Sequence, residues 1–125
     1  MEDSNPDLMQ RTRDYACRII RLYCALPKRT EAQVVGKQLL RAGTSVGAHV
    51  REGKRSRSDA EMLSKTGGAL QELEETAYWL ELLVDAKIME AQRLSDLMKE
   101  TDELLAILMS STKTIKKRIR QNKES

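Results

Sequence analysis

Apolar residues recur at three- and four-residue spacing along almost the whole chain, and the rhythm breaks at three places. The first stripe, Leu8, Tyr15, Ala16, Ile19, Leu22, Tyr23 and Leu26, stops at Pro27. The second, Val34, Val35, Gln38, Leu39, Ala42, Val46 and Val50, runs out at Gly53 and the polar run Lys54-Arg55-Ser56-Arg57. The third carries Met62, Thr66, Ala69, Leu70, Leu73, Ala77, Leu80 and Val84. The fourth is the cleanest: Leu94, Leu97, Met98, Thr101, Leu104, Leu105, Leu108, Thr112, Ile115 and Ile119. Such spacing places each set on one side of an α-helix. It predicts helices over about 6–25, 31–55, 59–85 and 90–119.

Local signals mark the starts. Asn5 before Pro6 suits a cap followed by proline at the first helical position. Thr30 with Gln33, and Ser58 with Glu61, each read as a capping box, in which two side chains satisfy orphan backbone N–H groups reciprocally. Four helices with short connections must alternate in direction. The expected fold is all-α, an antiparallel up-down-up-down four-helix bundle, with residues 1–125 as one domain.

Gly36, Gly43 and Gly47 fall inside the second helix, where each costs up to about 1 kcal/mol relative to alanine. Close approach of a neighbouring helix offsets such a cost; a kink at Gly43-Thr44-Ser45 is the alternative. The third helix has the opposite anomaly, an apolar surplus. Leu63, Tyr78, Trp79, Leu82 and Leu83 widen its stripe beyond one face, and neighbours about 100° apart cannot all enter one core. We read Leu63, Tyr78, Trp79 and Leu82 as a subunit interface. Against this stands the possibility that Trp79 closes the bundle end near the turn into the fourth helix.

Composition agrees with an aliphatic helical core: hydrophobic residues are 40%, aromatics 3%, and phenylalanine is absent. No run reaches the roughly 18 apolar residues of a membrane span, and the first residues are acidic and polar, unlike a signal peptide. A cytoplasmic protein with no membrane partner is expected. Cys17 and Cys24 lie seven residues apart, about 10 Å along a helix and too far to bridge within it. Buried free thiols are the expected state.

Charge is segregated. The net +3 comprises +6 over 28–57, −8 over 58–103 and +5 over 113–124. In an antiparallel bundle the second and fourth helices end at the same pole, so Arg51, Lys54, Arg55 and Arg57 meet Lys113, Lys116, Lys117, Arg118, Arg120 and Lys123 there. Such a pole attracts phosphates by counterion release. Cations at helix C-termini also complement the helix dipole without any ligand. No aromatic residue interleaves the clusters, so base stacking on aromatics is not indicated.

Catalytic and metal chemistry has little to stand on. His49 is the one histidine, so the paired Glu-x-x-His motifs of a di-iron bundle are missing. Glu72, Glu74, Glu75, Glu81 and Asp85 resemble the acidic clusters of all-α nucleotide pyrophosphatases, but Glu81 and Asp85 are four apart instead of three. A solvated acidic face or salt bridges to basic segments explains them more simply. No paired nucleophile, phosphate loop or zinc spacing is present. No catalytic residue, cofactor or metal ligand is therefore assigned.

Two stretches carry a family resemblance. The first is Gln38-Leu-Leu-Arg-Ala-Gly-Thr-Ser45-Val-Gly-Ala-His-Val-Arg51-Glu52-Gly53 followed by Ser58-Asp-Ala-Glu61, and the second is Leu70-Gln-Glu72-Leu-Glu-Glu75-Thr76-Ala-Tyr78-Trp79-Leu80-Glu-Leu82-Leu83. Together they resemble the bacterial four-helix-bundle proteins named after the intervening sequences of 23S ribosomal RNA. Many members have Asn-Ile-Ala-Glu-Gly where this chain has His49-Val50-Arg51-Glu52-Gly53, so no role of that asparagine carries over. The resemblance implies a homopentameric ring and a link to nucleic acid. Related bundles serve as accessory proteins of diversity-generating retroelements and bind the reverse transcriptase.

The expectation is thus a non-enzymatic homo-oligomer that binds RNA or DNA through its basic pole. The alternative is a protein–protein adaptor whose acidic 72–103 face docks a basic partner such as a polymerase. A carboxylate-metal nucleotide hydrolase is a third class with the least support.

Overall fold

The computed structural model describes residues 4–124, with side chains from residue 8 onward. Four helices and no strand occur among them: α1 Ser4–Ala25, α2 Thr30–Lys54, α3 Asp59–Asp85 and α4 Ala91–Glu124. The protein is an all-α antiparallel bundle, as its periodicity dictates. Each helix packs on its neighbour in sequence, whereas α1 and α4 touch at only a few positions. No described helix is long and apolar enough to cross a membrane.

The core stripes follow 3–4 spacing closely. In α1 the buried residues are Leu8, Thr12, Tyr15, Ile19 and Leu22, with Leu26 just beyond its end. In α4 they are Leu94, Leu97, Thr101, Leu104, Leu108 and Ile115. Three threonines enter the core because helical threonine can return its hydroxyl to the preceding turn. Thr12 donates to Leu8 O, Thr76 to Glu72 O and Thr101 to Leu97 O. Tyr15 then bonds Thr101 across the α1–α4 seam at 2.6 Å.

The glycines of α2 settle its packing. A Cβ on Gly36 would lie 2.6 Å from Leu26 Cδ1, and one on Gly43 would lie 2.8 Å from Ile19 Cγ1. Gly47 faces the Thr12 backbone. The glycines therefore form the groove in which α1 lies, and α2 continues through Gly43-Thr44-Ser45 as one helix.

Several local expectations are corrected. Thr30 does not cap α2: the cap position is Arg29, which has no side-chain cap bond. Gln33 instead spans the α1–α2 connection, donating to Pro27 O and accepting from the Tyr23 hydroxyl. Val34 is 59% exposed, because the glycine groove turns α2 so that Ala32, Gly36 and Leu39 face inward. Gln38, also assigned to the apolar side, is exposed. Cys17 and Cys24 are free but exposed, on the side of α1 away from its core stripe. α4 runs to Glu124, past the expected stop at 119. Asn5 lies within α1, and its capping side chain falls outside the described ones.

The α3 start behaves as anticipated in part. Ser58 accepts from the Glu61 N–H, while the Glu61 carboxylate takes the N–H of Arg57, one residue earlier than a full capping box requires. The α3 end is a Schellman turn. Lys87 adopts φ 60°, and Ile88 N–H bonds Leu83 O while Lys87 N–H bonds Val84 O.

Candidate nucleic-acid interface

Antiparallel order brings the start of α1, the end of α2, the start of α3 and the end of α4 to one pole. A cleft of about 770 Å³ opens there between α1 and α4, lined from all four helices. Lys54 and Arg118 both lie on it, although 63 residues separate them in the chain. The two basic blocks seen in the sequence therefore share one end of the molecule.

The cations at this end differ in what holds them. Arg118 is tied down: its Nε and Nη2 donate to Asp59 Oδ1 at 3.1 and 2.9 Å. Arg118 holds the Asp59 carboxyl below its ordinary range, and Asp59 raises the guanidinium in turn. The other assigned residues, Arg51, Lys54, Arg55, Arg57, Lys113, Lys116, Lys117 and Arg120, are exposed. None of them enters an ion pair among the described residues. Since α4 remains helical, Lys113, Lys116, Lys117, Arg120 and Lys123 form a ridge at 3–4 spacing.

Elsewhere the charges are mutually satisfied. Arg11 on α1 pairs with Glu100 at 2.7 Å and Glu103 at 2.9 Å, and both carboxylates raise its pKa. These bridges and the Tyr15–Thr101 bond clasp the middle of the α1–α4 seam. Burial pushes the Tyr15 phenol up to about 12, opposed by its bond to Thr101. On the α2–α3 face, Arg41 reaches Glu72 at 3.2 Å and Glu75 at 2.7 Å. Part of the acidic cluster is thus paired, and no cluster able to hold a metal occurs among the described residues.

The apolar surplus of α3 divides. Trp79 is half-buried against the core, its indole N–H donating to Glu75 Oε2 at 3.2 Å, while Tyr78 is 53% exposed. Their rings meet edge to face at 5.1 Å. Leu82 is half-buried one turn on. Leu63, also half-buried, lies fifteen residues from Tyr78, about 22 Å along the helix, so it does not join that patch. Val34 does, and sequence reading missed it. The antiparallel register set by Lys65–Glu52, His49 over Gly68 and Arg41–Glu75 carries Val34 to the level of Leu82. The signal available was the glycine spacing, which fixes the inward side of α2 and leaves Val34 outside.

The sequence pattern of the 23S rRNA-intervening sequence proteins matches residues 4–110. The chain belongs to that family. This member of the 23S rRNA-intervening sequence protein family is also similar to a crystal structure from Bacteroides thetaiotaomicron. That structure is a protein of unknown function from the S23 ribosomal protein family, 33% identical, with a TM-score of 0.82. The similarity covers 87% of this chain and 97% of that chain. No curated protein matches. The family match ends before the basic ridge of α4, so that ridge lies beyond the shared pattern.

Proposed function

We propose that this protein is a non-catalytic, self-associating bundle that binds nucleic acid through the phosphate backbone. The cations at the α2–α4 pole make the contacts. What carries the reading is the unpaired state of those cations. Arg11, Arg41 and Arg118 each have carboxylate partners, whereas Arg51, Lys54, Arg55, Arg57, Lys113, Lys116, Lys117 and Arg120 have none among the described residues. A concentrated cationic end releases counterions when it meets a polyanion. Self-association through Tyr78, Trp79 and Leu82, with Val34 beside them, would repeat that end by symmetry. A pentamer is the expected assembly.

Filter binding of an RNA oligonucleotide at two salt concentrations tests this. Four or more phosphate contacts weaken affinity on the order of tens-fold between roughly 50 and 200 mM salt. Charge reversal of Arg55, Arg57, Lys116 and Lys117 to glutamate should abolish binding. Full binding by that variant refutes the assignment, and light scattering reports subunit number independently.

A second reading, a protein adaptor, draws on Glu74, Glu81 and Asp85, which are exposed beside Tyr78 and lack ion-pair partners among the described residues. Its natural partner is a basic protein such as a polymerase. Pull-down with and without nuclease separates the readings: nuclease-resistant capture favours the adaptor.

A further inference from the structure

We propose that the cleft at the basic pole takes an unpaired nucleobase, so that this pole prefers single-stranded nucleic acid over duplex. The inference rests on the phosphate-binding reading above and specifies which form of nucleic acid fits.

The cleft lies beside the part of α3 that seats least deeply in the bundle. α3 has no fully buried side chain between Asp59 and Gly68, and its inward stripe begins only at Ala69. Together with the loose α1–α4 seam, this leaves about 770 Å³ of space, within the range of ligand sites, about 300–1,000 Å³. Leu8, Val50, Met62, Ile107 and Ile115 supply an apolar floor. Ser111 and Thr114 add hydroxyls, and Lys54, on its edge, has no ion-pair partner among the described residues.

An occupant must bring apolar surface for the floor and negative charge for the edge. An unstacked nucleotide carries both: its base presents flat apolar faces with polar edges, and its flanking phosphates reach Lys54 and the α4 ridge. Aliphatic walls accept a base face by dispersion, as apolar side chains do around flipped bases. A paired base offers neither face, since both are covered by its neighbours in the stack.

The test compares a single-stranded RNA of about 12 nucleotides with the duplex of the same sequence. The single strand should bind measurably tighter than the duplex. Adenosine monophosphate should compete, whereas ribose 5-phosphate, which lacks the base, should not. Filling the cleft with Ser111→Leu and Thr114→Leu should erase the preference and leave duplex affinity unchanged. Ser110→Leu, at an exposed position on the same rim, serves if the double variant misfolds by circular dichroism. Equal affinity for strand and duplex overturns the base site and leaves the phosphate reading standing. Failure of both to bind at low salt overturns the two together. A filled cleft that lowers oligomer mass while strand preference persists assigns the cleft to a second copy and refutes the proposal.

Discussion

Gly43→Ala should destabilise the bundle while Gly67→Ala stabilises it, although both make the same chemical change within a helix. Alanine gains up to about 1 kcal/mol over glycine in a helix interior. At Gly67 nothing lies within 4 Å of the new methyl, so most of that gain should appear. At Gly43 the methyl would sit 2.8 Å from Ile19 Cγ1 and 2.9 Å from Cγ2. Ile19 is fully buried, and both clashing carbons are fixed by its branched Cβ, so α1 itself must move. Overpacking of this kind costs roughly 1–3 kcal/mol. After the propensity gain is subtracted, Gly43→Ala should lose about 0–2 kcal/mol, or up to roughly 8 °C in Tm. Urea and thermal unfolding at fixed protomer concentration measure both variants without a shift from subunit dissociation. If Gly43→Ala gains as much as Gly67→Ala, α1 does not rest in the glycine groove and the account of α2 fails.

Three further outcomes are expected. Lys87→Gly should stabilise by about 1 kcal/mol, because Lys87 holds φ 60°, where a side chain is strained; a lower urea midpoint would contradict the Schellman turn. Tyr15→Phe should cost about 1 kcal/mol by removing the bond to Thr101. The folded-state phenol is raised to about 12 from 10.0, so its neutral form is favoured in the fold. That contribution is complete below about pH 10 and lost as pH rises from about 10 to 12; the phenylalanine variant should show a shallower alkaline decline. Glu75 is held below the ordinary carboxylate range by Arg41 and then by Trp79. Glu75→Ala should therefore release the one tryptophan and shift its emission to the red, while unchanged fluorescence would show the indole is held by packing alone.

Much of this protein can be read from its residue order. Helix number and direction follow from the recurrence of apolar positions, because a helix with one greasy side must bury it and short connections leave only antiparallel neighbours. The start of α3 was legible from Ser58 and Glu61, whose signals act within one turn and need no partner. Charge blocks, too, are a property of residue order, so a basic pole was foreseeable once the helix directions were set.

Tertiary structure decided what depends on rotation of a helix about its axis and on who sits opposite. Val34 and Ala32 are both plausible inward residues by hydropathy; only the seating of α1 on Gly36 and Gly43 turns Ala32 in and Val34 out. Gln33 abandons a local cap because Tyr23 and Pro27 O stand within reach. Arg118 looks like any other cation in the C-terminal block until α3 places Asp59 at 2.9 Å. The cleft has no local signature at all. It is the space left where segments of all four helices meet, and such a gap is set by packing between helices, not by the preference of any one of them.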